Sequence, residues 1–269
     1  MIPFFIILIF AITQGLCEFL PISSSGHLYL LYDIFNITNN TLLITIVLHI
    51  ATLISLIIYY RKEILMLIKN PFCNTNKKIV VSTIFTLITI IPMYSLSKIF
   101  VTKETLLFSF GATAILLLIA DYLSNTRYNL SNICSIYSTI TNINLSYRQA
   151  IFIGISQGIA IIPGLSRSGT TIATGIIAGV DKDIVSKYSF LISIPIVIAS
   201  GIMQIIDIIV NTPSLNFDIA SIVICFIVCL IVGLLAIKLC TKIVNSNKLY
   251  IFSYYLIGLI ILILILMFI

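Results

Sequence analysis

Residues 18–27 read EFLPISSSGH and residues 163–172 read PGLSRSGTTI. Both lie inside long apolar stretches, where a carboxylate, an arginine and an imidazole are expensive to place in lipid. The two stretches are also related to each other. A shift of 143 residues lays QGLCEFLPISSSG (14–26) on QGIAIIPGLSRSG (157–169) without a gap. Gln14 then matches Gln157, Gly15 matches Gly158, Ser23 matches Ser166, Ser25 matches Ser168 and Gly26 matches Gly169.

The surrounding chain explains why such a repeat needs a special fold. Of its 269 residues 60% are hydrophobic and 9% charged, and the mean hydropathy is +1.19, whereas a soluble domain carries roughly 25% charged residues. The class is an all-α polytopic membrane protein. Ordinary spans are expected at about 42–60, 79–97, 105–123, 187–210, 219–237 and 250–268. Segments 1–35 and 149–180 are apolar but interrupted by Gly, Pro and Ser. Irregular backbone at membrane depth survives where protein buries it or a wet cavity borders it, so these two read as re-entrant broken helices. The chain is thus one membrane domain, 1–269, with repeat 1 at about 1–123 and repeat 2 at about 149–268. The N-terminal MIPFFIILIFAI has no basic region before it and no small-residue cleavage pattern after it, so it is expected to stay in the mature protein.

Loop charge orients the repeat. Arg61, Lys62, Lys69, Lys77 and Lys78 crowd 61–78, Arg127 and Arg148 lie in 124–148, and Lys238, Lys242 and Lys248 in 238–249. Connections 36–41, 98–104 (with Lys98 and Lys103) and 211–218 (with Asp218) are poorer in basic groups. With the basic set cytoplasmic, segment 1–35 dips in from outside and segment 149–180 from the cytoplasm, an inverted-topology repeat. The net charge of +6 reflects these loops, and without a dense basic run no nucleic-acid partner is expected. Cys17, Cys73, Cys134, Cys225, Cys229 and Cys240 form no CxxC pair and read as buried or interfacial thiols. Asp121 and Asp207, near span ends, read as interfacial.

Each broken segment reads as helix, breaker, small-residue loop, helix. Pro21 and the Pro163-Gly164 pair stop the first helices, and Ser23 to Gly26 and Ser166 to Gly169 start the second ones. A helix start offers unpaired amides and a positive dipole end to an anion, phosphate above all. Arg167 in its Ser-Arg-Ser-Gly loop adds a fork that matches phosphate oxygens, and Ser23, Ser25, Ser166, Ser168, Thr170 and Thr171 add hydroxyls. Gln14 and Glu18, four apart, share a helix face, and His27 comes after the triple-serine loop. The repeat has diverged: Glu18 stands opposite Ile161, Ser24 opposite Arg167, and His27 opposite Thr170. One copy holds acid–base and nucleophilic groups and the other the cation, as a hydrolytic site requires. His49, in LLITIVLHIATLISLIIYY, reads first as a satisfied core histidine, with a place lining the cavity as the alternative.

With these motifs in order along the chain, and with KYSFLISIPIVIASGI (187–202) after them, the sequence resembles undecaprenyl-diphosphate phosphatases of the bacitracin-resistance type. The resemblance implies a bacterial cytoplasmic-membrane hydrolase that converts undecaprenyl diphosphate to the monophosphate and recycles the cell-wall lipid carrier. It implies six spans, two re-entrant hairpins in inverted repeat, and a site open to the outer leaflet. Ser24 and His27 are similar to the catalytic Ser and His of the family's SS-[ST]-G-H turn, and Arg167 to the essential Arg of PGxSRSG. Gln14 and Glu18 match its (E/Q)xxxE element, which implies a divalent cation, Mg²⁺ or Ca²⁺, held by Glu18 and Gln14, with an amide at the first position. Its partners would be the isoprenyl diphosphate lipid and the surrounding membrane lipids, with a homodimer left open. Two schemes remain: attack by Ser24 with His27 as base, or direct attack by water. A flippase or secondary transporter using the same anion site is the alternative function.

Overall fold

The computed structural model describes residues 3–37, 41–97, 102–131, 145–211 and 219–268. Cys134, Lys98 and Asp218 lie outside the described residues, as do the side chains of Arg127 and Asp207. All regular structure among the described residues is helical: α1 (Phe4–Cys17), α2 (Ser24–Ile34), α3 (Thr41–Tyr59), α4 (Arg61–Lys69), α5 (Asn74–Ser97), α6 (Lys103–Ser131), α7 (Tyr147–Ile159), α8 (Arg167–Ile177), α9 (Lys182–Asn211), α10 (Ile219–Asn245) and α11 (Tyr250–Phe268). The expected spans correspond to α3, α5, α6, α9, α10 and α11.

Length separates spanning helices from broken ones. Helices α5, α6, α9, α10 and α11 are each long and apolar enough to cross a membrane, and α3 joined to α4 makes a sixth, bent by 75°. By contrast α1 and α7 have 14 and 13 residues, about 20 Å of helix at 1.5 Å per residue, short of the ~30 Å hydrocarbon core. After each comes an irregular turn and an 11-residue helix, α2 or α8.

Packing repeats with the sequence. Helix α1 packs on α10 while α7 packs on α5, and α3 packs on α10 while α9 packs on α5. Each short helix therefore leans on a span from the other half of the chain. The matched glycines make both approaches. A Cβ on Gly15 would fall 2.8 Å from the Cys229 carbonyl, and one on Gly158 would fall 2.5 Å from the Thr89 Cβ. Small residues at such crossings let helices pack by close van der Waals contact, which is what holds helices together in lipid.

One connection differs from expectation, and one residue near a span end is buried. Residues 61–69, within the expected loop 61–78, form helix α4, whose Glu63 lies in the first turn and Lys69 in the last, the placement the helix dipole favours. Asp121, expected at the interface, is 7% exposed. Its carboxylate accepts from the Leu249 amide and from Asn125 Nδ2, both at 3.0 Å, so it satisfies a donor ahead of α11 rather than facing water.

Candidate active site

The matched serines fold the two turns alike. Ser23 Oγ accepts from the Gly26 amide at 3.3 Å, and Ser166 Oγ accepts from the Gly169 amide at 3.1 Å. Each caps its helix and lies within 3.3 Å of the next serine but one, Ser25 or Ser168. Beyond these caps, the amides of Ser24, Ser25, Arg167 and Ser168 have no hydrogen-bond partner among the described residues. Two helix starts with free donors are thus present.

The turns meet. Ser168 Oγ donates to the Leu20 carbonyl at 3.1 Å, and a Cβ on Gly26 would lie 3.2 Å from the Gly164 Cα. Arg167 Nη2 reaches Glu18 Oε1 at 2.5 Å. The opposite oxygen of Glu18, Oε2, accepts from Ser24 Oγ at 2.7 Å and from Gln14 Nε2 at 2.9 Å. A carboxylate from one repeat is therefore held by the cation of the other, with the Ser24 hydroxyl on its second oxygen. Between them lies a cavity of about 70 Å³, bordered by Glu18, Ser23, Ser24, Ser25, Ser166 and Arg167. On the same measure one water needs ~10–15 Å³, so a phosphoryl group has room.

Not every expected site residue reaches this cavity. Gly26 and Gly169 are buried in the contact between the turns, where a Cβ would meet Phe110 or Pro21. Ser168 is spent on Leu20. Thr170 is 4% exposed and its Oγ1 has no partner. Ser25 alone of the turn serines is exposed.

His27 is placed differently from the expected Ser24–His27 pair. Its Nδ1 lies 2.7 Å from the Ser23 carbonyl and its Nε2 lies 2.7 Å from the Tyr255 hydroxyl. A carbonyl can only accept, so Nδ1 carries the proton and Nε2 of the neutral ring accepts from Tyr255. Tyr255 also stacks on the imidazole at 5.7 Å and 12°, and Phe110 meets it edge-on. Both ring nitrogens are thus occupied, and the Ser24 hydroxyl donates to Glu18 instead. Ser23 adopts φ 72°, a left-handed conformation that costs a non-glycine residue roughly 1–2 kcal/mol. That backbone aims the Ser23 carbonyl at both the His27 amide and its ring.

His49, read as a core histidine or else as lining the cavity, stands beside Glu18. Its Nε2 stands 3.9 Å from Glu18 Oε2 and its side chain is 28% exposed. The available signal was a polar stripe along α3, Thr45, His49 and Thr52, spaced as one helix face.

Glu18 and Gln14, expected to hold a divalent ion, are engaged with each other and with their neighbours. Both oxygens of Glu18 are engaged, and the Arg167 guanidinium at 2.5 Å opposes a second cation. Gln14 turns its amide nitrogen to Glu18 and leaves Oε1 buried without a partner. Among the described residues no three His, Cys, Asp or Glu side chains gather as a metal site. One engaged carboxylate is a poor donor set for Mg²⁺ or Ca²⁺, which take six or more oxygens.

Comparison with known proteins agrees with the motifs. The family model described as bacitracin resistance protein BacA matches residues 7–262. An undecaprenyl-diphosphatase of Carboxydothermus hydrogenoformans is 34% identical over 250 residues, covering 92% of this chain and 91% of its own length. One of Thermosipho melanesiensis is 35% identical over 255 residues, covering 92% and 93%. Undecaprenyl-diphosphatase 4 of Bacillus cereus is 34% identical over 261 residues, covering 97% and 96%.

Proposed function

The chain belongs to the bacitracin resistance protein BacA family, and on that premise we propose that it hydrolyses undecaprenyl diphosphate to undecaprenyl phosphate and inorganic phosphate. The observation that carries the residue-level reading is the Glu18 carboxylate, shared between Arg167 on one oxygen and the Ser24 hydroxyl on the other at 2.7 Å.

The isoprenyl chain stays in lipid while the diphosphate enters the cavity. Arg167 and the free amides of the two helix starts bind the terminal phosphate, and the same donors stabilise the charge spread over its oxygens in the transition state. As phosphate takes over Arg167, Glu18 is left with Ser24. Ser24 Oγ attacks the terminal phosphorus and gives its proton to Glu18 Oε2. The bond from that phosphorus to the bridging oxygen breaks, and the lipid monophosphate leaves. Water then hydrolyses the phosphoserine and phosphate departs. His27, held by Ser23 and Tyr255, positions the turn that carries Ser24. A divalent ion, Mg²⁺ or Ca²⁺, would be carried by the diphosphate rather than held by Glu18 and Gln14, and would offset part of its negative charge. The loop charges favour a site facing the outer leaflet of the bacterial cytoplasmic membrane.

The test is phosphate release from undecaprenyl diphosphate by the purified protein in detergent, beside Ser24→Ala. Turnover in the parent, its loss in the variant, and phosphate trapped on Ser24 after an acid quench are expected. No turnover with any divalent ion, in protein that still binds the lipid, would move the reading to a lipid-carrier flippase.

A further inference from the structure

The two histidines share one arrangement of the ring and differ in the group that faces its second nitrogen. His27 Nδ1 lies against the Ser23 carbonyl at 2.7 Å and His49 Nδ1 against the Thr45 carbonyl at 2.8 Å. In each neutral ring the proton is therefore on Nδ1 and the lone pair on Nε2. For His27 the Tyr255 hydroxyl fills that lone pair. For His49 the neighbour is Glu18 Oε2 at 3.9 Å, which is beyond hydrogen-bond length and is itself an acceptor. A water can donate to both acceptors across such a gap. The imidazole is partly exposed and stands beside the carboxylate that borders the polar cavity. Glu18 Oε2 is also the atom that holds Ser24.

We propose that His49 is a water-positioning residue: its Nε2 and Glu18 hold between them the water that releases phosphate from Ser24. This rests on covalent attack by Ser24 in the proposed function. In the second step the water oxygen bonds to phosphorus as the Ser24 Oγ–phosphorus bond breaks. Glu18 returns to Ser24 Oγ the proton it received in the first step and takes one from the water, then loses it to solvent. Phosphate leaves and every atom is accounted for. His49 keeps its own proton on Nδ1 throughout and contributes an acceptor at a fixed place.

The experiment is rapid-quench turnover of undecaprenyl diphosphate by the full chain in detergent, measuring lipid monophosphate and phosphate separately. His49→Leu keeps the bulk and removes the acceptor, whereas His49→Gln keeps an acceptor on a side chain of similar reach. In His49→Leu a stoichiometric burst of lipid monophosphate is expected, and then phosphate release slowed roughly 10- to 100-fold, the range a misplaced reactant costs, with KM not raised. His49→Gln is expected to recover most of the rate. Parental phosphate release in His49→Leu, a raised KM with unchanged kcat, or His49→Gln as slow as His49→Leu would each overturn the assignment. If the parent shows no burst and no Ser24-linked phosphate, the covalent reading fails. The assignment falls with it, whereas Ser24-linked phosphate in the parent together with parental phosphate release in His49→Leu overturns the assignment alone.

Discussion

Replacing Arg167 by alanine strands the Glu18 carboxylate, and the size of the effect depends on how deeply the pair is buried. The Glu18 side chain is 7% exposed and that of Arg167 21%. An exposed ion pair contributes about 0–1 kcal/mol, and breaking a fully buried one costs about 3–5 kcal/mol. Here Gln14 and Ser24 continue to satisfy Oε2, so an intermediate loss of about 2 kcal/mol is expected for Arg167→Ala. Activity responds differently. An arginine on a transferring phosphoryl group accelerates by about 10³–10⁵, so turnover should fall at least 10³-fold. Adding Glu18→Gln separates the two roles. A neutral amide needs no cation, so the double variant should regain about 1–2 kcal/mol of the lost stability, a coupling within the range for residues in contact, and none of the activity. The assays are phosphate release from undecaprenyl diphosphate and thermal unfolding in the same detergent. A double variant no more stable than Arg167→Ala would refute the stranded-charge argument. An Arg167→Ala protein within tenfold of the parent would refute the phosphate clamp.

Gly26→Ala would place a Cβ 2.5 Å from Cζ of Phe110, a ring with no exposure and no room to withdraw. Overpacking of this kind costs about 1–3 kcal/mol, so a lowered melting midpoint is expected, partly restored by Phe110→Leu; an unchanged midpoint would contradict it. Tyr255→Phe keeps the stack on His27 and removes the hydroxyl at Nε2. An unsatisfied buried acceptor costs about 1–3 kcal/mol, so a roughly tenfold loss in kcat is expected if that bond positions the Ser24 turn, and parental kinetics would remove Tyr255 from the site. Chelation should abolish turnover while leaving the melting midpoint of substrate-free protein unchanged, because the divalent ion is read as arriving with the diphosphate. A midpoint that drops with chelator would locate an ion on the protein itself.

The parts of the site legible in the sequence are those whose chemistry contradicts their surroundings. Glu18, Arg167 and the serine turns stand out because an apolar segment has no other use for them, and the 143-residue shift indicates which turn meets which. That contact joins residues 149 apart without any local signal. The hydrogen-bond partner of Ser24, Glu18, is hidden for a local reason. Ser24 and His27 are three apart at a helix start, which suggests a pair, yet the left-handed backbone at Ser23 draws the imidazole onto its own carbonyl. The other partner of His27, Tyr255, is 228 residues away in a helix that reads as uniformly apolar. His49 looks like core because a single imidazole in a span has many bland placements, and only the stripe it forms with Thr45 and Thr52 points inward. Helix α4 is masked by its charges, which favour a loop by composition and a helix by their order.

Charge balance accounts for the division of labour between the repeats. Ser24 and Arg167 hold equivalent positions, as do Glu18 and Ile161. Two undiverged turns would set two guanidinium groups, or two carboxylates, across one cavity of about 70 Å³. Like charges about 4 Å apart repel by about 4 kcal/mol at an effective dielectric of 20, and neither pairing offers both a clamp for phosphate and an acceptor for a hydroxyl proton. One glutamate and one arginine neutralise each other in the resting protein, which makes both tolerable at this depth. On the proposed chemistry the incoming phosphate replaces Glu18 on Arg167 and leaves the carboxylate to Ser24. The ion pair that keeps the empty site neutral is then the one the substrate opens. A scaffold of two like halves can work this way only with unlike residues at those two positions, so the divergence of 18 from 161 and of 24 from 167 is what the reaction demands of the repeat.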